Sequence, residues 1–373
     1  MRIDQFLKDK YIASNQREYS FCRDISFIKE NEINKYEKLR NELLKDLSQL
    51  SVKTGCNVMK MDIRELSPGC KICTEGYWSC LFINNVCNAH CFYCPAEQKN
   101  EDVPQTNRLQ FSQAKDYAEY VDYFGFKGVS FSGGEPLMTY NKTLNFLKEV
   151  KKRSGNNVHC WLYTNGILLT KDMVSEFKDS GLDEIRFDIG ATGYDLTKAK
   201  MAIDEIPVIT VEIPAVPEDY DKLKQLLPVM NTMGIDYLNI HQLRCTPYNA
   251  KHLLKRGYTF LHGPKVTVLA SELTALKLIR AAKQHHLELP VNYCSFIYKS
   301  SYQAMAERKR TARCFLQPGE ELTETGYIRK IRFFPMEKSY EKEYPAIFNH
   351  NPEHYSNRSV FFFFTELNKF SNL

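Results

Sequence analysis

Three cysteines stand within eight residues of one another in the stretch CNAHCFYC, at positions 87–94. Cys87, Cys91 and Cys94 follow a CxxxCxxC spacing. Three thiolates from one short loop can hold three irons of a [4Fe–4S] cluster and leave the fourth iron without a protein ligand. Such an open iron is a place where a substrate or a cofactor can bind. His90, which lies between the cysteines, is expected to be a loop residue rather than a fourth ligand.

A four-thiolate zinc site is an alternative interpretation of the same region. Cys70 and Cys73 form one CxxC pair, Cys91 and Cys94 form a second, and 17 residues separate the pairs. That separation lies within the range of a zinc ribbon. Cys87 is not needed as a ligand in a zinc ribbon, but the four thiols of the two CxxC pairs do not by themselves decide between zinc and an iron–sulfur cluster. A zinc-ribbon binding protein on an α/β scaffold, in contact with nucleic acid, therefore stays open as an alternative.

A second set of cysteines is left over if the first three hold a cluster. Cys70, Cys73 and Cys80 stand in GCKICTEGYWSC, a CxxC pair followed by a third thiol. This spacing suits a second metal centre, either an auxiliary iron–sulfur cluster or a single iron or zinc, with Cys294 or Cys314 as a fourth ligand. The simpler interpretation is a group of reduced thiols packed in a strand and its approach, because free cysteine packs well.

Composition narrows the class of protein. The chain has 373 residues, 43% hydrophobic and 25% charged, which is enough for one large or two smaller domains. Its 12 cysteines indicate metal or redox chemistry, because the cytosol keeps thiols reduced. The formal net charge of +5 is well short of the basic balance of most nucleic-acid binders. With a polar N-terminal stretch and no apolar run of about 18 residues, we expect a soluble, cytoplasmic protein.

Strand-like and helix-like segments alternate along the middle of the chain. Short apolar runs predict strands at 79–84, 128–132, 159–164, 184–189, 208–213 and 237–241. Helix-like segments lie near 112–124, 141–152, 171–180, 194–204 and 219–233. This alternation is typical of parallel βαβ units, so we expect a partial α/β barrel. Beyond residue 245 we expect the alternation to end, with helices near 271–286 and 302–312 and a hairpin turning at 324–326.

A second motif follows the strand at 128–132. Gly133, Gly134 and Glu135 stand directly after it, in SGGEP. Two glycines let a backbone pass close to a ligand, and the carboxyl ends of parallel strands are where such barrels place their sites. CNAHCFYC and SGGEP together resemble the radical S-adenosylmethionine (SAM) superfamily, with Tyr93 at the aromatic position of the cluster loop. The resemblance covers about residues 79–243 and implies a partial (β/α)6 barrel resembling a TIM barrel, with N- and C-terminal extensions.

The resemblance also implies a mechanism and roles for individual residues. Cys87, Cys91 and Cys94 would ligate a [4Fe–4S] cluster whose open iron binds the amino and carboxylate groups of SAM. Reductive cleavage of SAM would yield a 5′-deoxyadenosyl radical that abstracts hydrogen from the substrate. Further cofactor-binding roles are implied at strand ends for Tyr93 (adenine), Gly133, Gly134 and Glu135 (amino group), and Asp188, Glu212 and His241 (ribose and carboxylate). Thr164, Asn165 and Gly166 also stand at a strand end, where a turn explains them equally well.

The cysteine-rich segment as a whole is similar to a group related to pyruvate formate-lyase activating enzyme. This similarity makes a glycyl-radical activase a further alternative, although the long extensions depart from a minimal activase. We expect an N-terminal extension with a cysteine-rich approach loop at 1–78, the barrel at 79–245 and a C-terminal extension at 246–373. The expected partners are a peptide or small-molecule substrate and an external electron donor such as flavodoxin or ferredoxin, with neither nucleic acid nor membrane.

Overall fold

Seven parallel strands form the centre of the larger sheet in the computed structural model, which describes residues 5–20, 25–49, 53–55, 60–98 and 103–330. The strands described are β1 Lys53–Gly55, β2 Lys60–Ile63, β3 Trp78–Asn84, β4 Gln105–Thr106, β5 Leu109–Gln110, β6 Gly128–Gly133, β7 His159–Thr164, β8 Glu184–Phe187, β9 Val208–Pro214, β10 Tyr237–His241, β11 Phe260–Leu261, β12 Thr267–Val268, β13 Val291–Cys294, β14 Glu320–Leu322 and β15 Ile328–Lys330. The sheet order is β1-β2-β13-β10-β9-β8-β7-β6-β3-β4-β5. The pairs from β3 through β13 are parallel, and β1, β2, β4 and β5 extend the two edges with antiparallel pairing.

Helices connect each parallel strand to the next. The α-helices described are α1 Gln5–Glu18, α2 Glu30–Gln49, α3 Pro68–Thr74, α4 Ala114–Tyr123, α5 Tyr140–Ser154, α6 Lys171–Asp179, α7 Thr197–Ala202, α8 Tyr220–Met233, α9 Ala250–Leu254, α10 Leu269–Gln284, α11 Phe296–Tyr298 and α12 Ala304–Arg313. All six strands expected from the apolar runs are present, and the helices expected between them are α4 to α8. The partial α/β barrel predicted from the alternation is confirmed. No helix in the described ranges is both long and apolar enough to cross a membrane.

The alternation does not end at residue 245, and that expectation was wrong. After α10 the chain forms β13, which pairs in parallel with β10 through Leu238 and Val291 and on to His241 and Cys294. The signal in the sequence was weak, because β13 has only four residues and its second residue is the polar Asn292. The barrel therefore has a seventh parallel strand, and the end of that strand contributes to the same edge as the other six.

The chain divides into two compact units, Met1–Gln303 and Ala304–Leu373. The first contains the large sheet. The described part of the second contains α12 and the antiparallel pair β14 and β15. The hairpin turns where the sequence predicted it, with Gly326 at φ 85°, and residues 331–373 lie outside the described ranges.

The parallel strands have two different faces. On one face, neighbouring strands are joined by polar side chains: Thr210 Oγ1 donates to Glu184 Oε1 at 2.8 Å, and Arg186 Nη1 donates to Glu212 Oε2 at 2.7 Å. We call this the inner face. The opposite face is apolar and buried, with Ile185, Phe187, Val211, Leu238 and Ile240. Since successive residues of a strand point to opposite faces, this alternation explains why charged residues can stand inside such apolar runs.

Helix α3 lies on the inner face. The helix begins at Pro68, a residue suited to a first turn, and Ser67 Oγ accepts a hydrogen bond from Cys70 N at 3.2 Å. Gly69 N donates to the buried Glu184 Oε2 at 3.1 Å, and a Cβ at Gly69 would overlap the Arg186 guanidinium. The sequence predicted a loop here. In the structure Cys70 and Cys73 are carried by this short helix.

Candidate functional site

A cavity of about 360 Å³ lies at the carboxyl ends of the parallel strands. That volume is within the range of small-molecule sites. The cavity is lined by the following residues that the sequence assigned to the site: Cys87, Cys91, Tyr93, Cys94, Gly133, Gly134, Glu135, Asp188, Glu212 and His241. They come from the loop after β3 and from the ends of β6, β8, β9 and β10. Cys87 and His241 are 154 positions apart in the sequence, and both line this cavity at one edge of the sheet.

The cysteine loop leaves β3 and turns back on itself beside the cavity. Cys94 N donates to Cys91 O at 3.0 Å, which closes a tight turn between these two cysteines. Two N–H groups point at the first sulfur, because Ala89 N lies 3.4 Å and Asn165 Nδ2 lies 3.8 Å from Cys87 Sγ. Burial raises the pKa of the Cys87 thiol and raises that of Cys91 to about 12, with the nearby Asp188 adding to the second shift. Metal binding must therefore displace protons from these thiols.

The two glycines of SGGEP place the end of β6 against the cysteine loop. Gly134 N donates to Asn84 O at 3.0 Å, and Glu135 N donates to Val86 O at 2.7 Å. A Cβ at Gly133 would overlap Asn84 O, and one at Gly134 would overlap Val86 O. Gly133 also has φ 128°, which favours glycine. The close approach expected at these glycines is thus an approach to the backbone that leads into Cys87.

Glu135 lies at the cavity, and its carboxylate is buried and fully engaged with the protein. Oε1 accepts from Leu137 N at 3.0 Å and from Thr164 Oγ1 at 2.7 Å, and Oε2 accepts from Asn165 N at 2.7 Å. Burial raises the pKa of this carboxyl above its ordinary value, although the three donors oppose that shift. Glu135 therefore fixes the end of β7 relative to the end of β6, in addition to lining the cavity.

Tyr93 and Asp188 are bonded to each other across the cavity wall. The phenol of Tyr93 lies 2.9 Å from Asp188 Oδ1 and 3.1 Å from Oδ2, and Gly190 N donates to Oδ1 at 3.1 Å. Burial raises the pKa of Asp188 to about 6, while the hydrogen bond from Tyr93 acts in the opposite direction. This pair connects the cysteine loop to the end of β8. The aromatic residue of CNAHCFYC is therefore held in place by a carboxylate that the sequence assigned independently to the same site.

Glu212 lines the cavity and also contacts polar side chains on the inner face of the barrel. It accepts hydrogen bonds from Arg186 Nη1 at 2.7 Å and from Asn239 Nδ2 at 3.1 Å. Burial alone would raise the pKa of Glu212, but Arg186, Lys299 and the hydrogen bond from Asn239 act together against burial, and the pKa is lowered. Glu212 is thus a carboxylate held ionised by its neighbours.

Two cavity residues offer buried nitrogen atoms that have no partner among the described residues. These atoms are His241 Nδ1 and Arg244 Nε. Burial, together with the positive charge of Lys299, lowers the pKa of His241 to about 3, so its imidazole is neutral near pH 7. Buried polar atoms in folded proteins normally have hydrogen-bond partners. The polar groups of an amino acid and a nucleoside would supply such partners, so the residues present fit SAM.

Among the residues of the cavity wall that were not assigned to the SAM site from the sequence, three form a cationic part of the wall. Arg244 follows β10, and Phe296 and Lys299 follow β13. Both cations lie near the ring of Phe296, with Arg244 Cζ 5.8 Å and Lys299 Nζ 5.4 Å from its centre. The strand-end rule that found Asp188, Glu212 and His241 would have found Phe296 and Lys299 if β13 had been recognised.

The structure separates the two sets of cysteines. Cys70 and Cys73 on α3, and Cys80 on β3, are not among the residues that line the cavity. Across the described ranges, no three or more His, Cys, Asp or Glu side chains converge closely enough to hold a single metal ion. A zinc ribbon needs four ligands around one ion. The structure therefore does not bring Cys70, Cys73, Cys91 and Cys94 together as the zinc interpretation requires.

Comparison with known proteins agrees with this arrangement. The family model for the radical SAM superfamily matches residues 81–244. A protein of Methanocaldococcus jannaschii, provisionally named a glycyl-radical enzyme activating enzyme, is 31% identical over 300 residues, which cover 77% of this chain and 78% of that protein. A GTP 3′,8-cyclase of Aliarcobacter butzleri is 31% identical over 120 residues, covering 32% of this chain and 36% of the cyclase. The crystal structure of Streptococcus suis SuiB bound to precursor peptide SuiA matches with a TM-score of 0.43 and 15% identity, covering 86% of this chain and 66% of SuiB. The chain belongs to the radical SAM superfamily of enzymes, which use a [4Fe–4S] cluster and SAM.

Proposed function

We propose that Cys87, Cys91 and Cys94 ligate the [4Fe–4S] cluster and that SAM occupies the cavity beside them. The observation that carries this proposal is the convergence of both motifs and three further strand ends on one cavity. When bound, the reduced cluster supplies the electron that cleaves SAM to methionine and a 5′-deoxyadenosyl radical, which takes a hydrogen atom from the substrate.

In this proposal the side chains of the protein hold the cluster and orient SAM. Asn165 Nδ2 and Ala89 N direct N–H groups at Cys87 Sγ, which stabilises the thiolate that iron requires. Glu135 holds Thr164 and Asn165 in position beside the cysteine loop. In our proposal Tyr93 and Asp188 bound the nucleoside part of SAM, while Glu212 and His241 present an anionic acceptor and a neutral imidazole to its polar groups.

The substrate we propose is a peptide or a small molecule that enters the cavity from the carboxyl ends of the strands. The similarity to a protein named for glycyl-radical enzyme activation, which extends over most of both chains, favours the α-carbon of a peptide glycine as one such substrate. Glycyl-radical activation is therefore the second candidate, within the same chemistry. For the electron we propose an external flavodoxin or ferredoxin in the cytoplasm.

Deuterium transfer tests the substrate assignment. The reconstituted enzyme is incubated anaerobically with SAM, dithionite and a short peptide whose glycine carries two deuterium atoms on its α-carbon, and the 5′-deoxyadenosine formed is analysed by mass spectrometry. Deuterium in the product, with a glycyl-radical signal in the electron paramagnetic resonance spectrum, would support peptide activation. Unlabelled product at the same rate with and without the peptide would exclude this peptide as substrate and direct the search to small molecules.

A further inference from the structure

Three thiols lie on the inner face of the barrel, away from the cysteine loop. Cys70 and Cys73 are on α3, and Cys294 is the last residue of β13. We call these three residues the inner thiol group. Asn292 Nδ2 lies 4.0 Å from Cys70 Sγ and 3.6 Å from Cys294 Sγ, so the two sulfurs share one amide neighbour. Cys73 follows Cys70 by three residues on α3, a spacing that puts both residues on the same face of a helix. The group therefore combines the CxxC pair of the sequence with a thiol from the seventh strand.

Cys70 Sγ lies among N–H groups of the inner face. Three N–H groups from three strands surround Cys70 Sγ, with Asn239 Nδ2 at 3.2 Å, Arg186 Nη1 at 3.7 Å and Asn292 Nδ2 at 4.0 Å. A neutral thiol is only a weak acceptor and has its own proton to donate. In contrast, hydrogen bonds to the sulfurs of iron–sulfur clusters are a recurring feature and adjust their potentials. The closest donor, Asn239 Nδ2, can thus donate to a metal-bound thiolate at Cys70. Arg186 Nη1 and Asn292 Nδ2 have closer acceptors in Glu212 and Asn239, respectively.

Single side chains connect the inner thiol group to the wall of the cavity. Asn239 Nδ2 is 3.2 Å from Cys70 Sγ and 3.1 Å from Glu212 Oε2, and Glu212 lines the cavity wall. Arg186 makes the same bridge, because its Nη1 contacts Cys70 Sγ and Glu212 Oε2. A metal centre here would be separate from the cysteine loop but in direct polar contact with the residues that face SAM.

The geometry favours an iron–sulfur cluster over a single ion. A mononuclear zinc or iron needs all of its ligands at one short distance from one point, and no such convergence exists in the described ranges. Thiolates of a cluster bind different irons and stay apart. The same lack of convergence holds for Cys87, Cys91 and Cys94, which stand in the cluster motif of the family.

We propose that Cys70, Cys73 and Cys294 ligate a second iron–sulfur cluster inside the barrel, separated from the SAM cavity by Asn239, Arg186 and Glu212. This extends the second metal centre that the spacing of Cys70, Cys73 and Cys80 suggested. Of the two candidates for a further ligand it takes Cys294 rather than the exposed Cys314, and it does not use Cys80. The proposal does not depend on SAM cleavage, since it concerns thiols that the first cluster does not use.

The test measures iron and acid-labile sulfide in a protein that lacks the first cluster. The triple variant Cys87→Ala, Cys91→Ala, Cys94→Ala is reconstituted anaerobically with iron and sulfide and desalted. We expect it to retain iron and sulfide in about equal amounts, with absorbance near about 400 nm. Addition of Cys70→Ala, Cys73→Ala and Cys294→Ala should remove this iron, whereas addition of Cys160→Ala, a buried cysteine on the apolar face, should leave it.

Three outcomes would overturn the proposal. The triple variant could be folded by circular dichroism and gel filtration yet hold no iron, it could hold zinc without sulfide, or its iron could survive loss of the inner thiol group. If the sixfold variant does not fold, the decisive measurement is the wild-type protein itself. Its Mössbauer spectrum and iron content must then show more iron than one [4Fe–4S] cluster per chain, and iron for a single cluster only would overturn the proposal.

Discussion

Asn165 N donates a hydrogen bond of 2.7 Å to Glu135 Oε2 and thereby ties the end of β7 to the end of β6. The side chain of the same asparagine reaches Cys87 Sγ at 3.8 Å. A buried carboxylate thus connects the SGGEP motif, through one residue, to the first cysteine of the cluster loop. This connection makes both motifs parts of one structure rather than separate binding elements.

Replacement of Glu135 tests that connection. In Glu135→Gln one acceptor oxygen becomes an NH2 group that faces an N–H or O–H donor, so we expect a loss of stability of about 1–3 kcal/mol and weaker SAM binding. The half-buried Glu149, whose carboxylate pairs with the exposed Lys152 on the helix surface, provides the control, and Glu149→Gln should be close to the wild type in both measurements. Urea unfolding and isothermal titration with SAM measure the two effects. Wild-type stability and SAM affinity in Glu135→Gln would contradict the positioning role.

Replacement of Gly134 by a residue with a side chain should disturb the cluster loop. A Cβ at this residue overlaps Val86 O, so Gly134→Ala must move the backbone that leads into Cys87. We expect the variant to bind much less iron after reconstitution while remaining folded. Gly257→Ala is the matched control, because Gly257 has φ 66° but nothing within 4 Å of an added Cβ. Equal iron content in both variants would mean that the close approach at Gly134 does not position the cluster loop.

Arg186 should be a major contributor to the stability of the barrel interior. Its buried guanidinium lies 2.8 Å from Glu184 Oε1 and 2.7 Å from Glu212 Oε2. Arg186→Met leaves two buried carboxylates without their cation, and we expect a loss of about 3–5 kcal/mol in the free energy of unfolding. Lys178→Met, which removes an exposed ion pair with Glu205, should lower the free energy of unfolding far less. Equal losses in the two variants would contradict the buried network.

The acid sensitivity of folding should depend on Glu184. Burial would raise its pKa, but Arg186 and His159 outweigh burial and hold the pKa at about 2, below the ordinary value of 4.5. A lowered pKa in the folded state means that this stabilisation is complete above pH 4.5 and is lost as the pH falls towards 2. Unfolding measured across this window should therefore weaken less steeply in Glu184→Gln than in the wild type. The exposed Glu205→Gln should keep the wild-type slope, and an unchanged slope in Glu184→Gln would refute the assignment.

The sequence predicted the barrel strands because their apolar runs are short, regular and separated by amphipathic helices. It predicted that Asp188, Glu212 and His241 lie together, because polar residues at the ends of parallel strands meet at one edge, and the three line one cavity. It did not predict β13, whose four residues include inward polar groups that serve the interior.

The connections between site residues were also beyond prediction from the sequence. The hydrogen bonds of Glu135 to Thr164 and Asn165, and the pairing of Tyr93 with Asp188, depend on distances between separate strand ends. No spacing along the chain encodes such distances. The same holds for Asn292, whose side-chain amide lies near both Cys70 and Cys294.

Formation of 5′-deoxyadenosine is the measurement that tests the central claim most directly. Reconstituted enzyme is incubated anaerobically with SAM and dithionite, beside Cys91→Ala and, as the matched control, Cys314→Ala in the other compact unit. We predict product from the wild type and from Cys314→Ala, and none above background from Cys91→Ala. Equal product from Cys91→Ala, or none from a wild-type protein that carries its full complement of iron, would contradict the assignment of Cys87, Cys91 and Cys94 as the site of SAM cleavage.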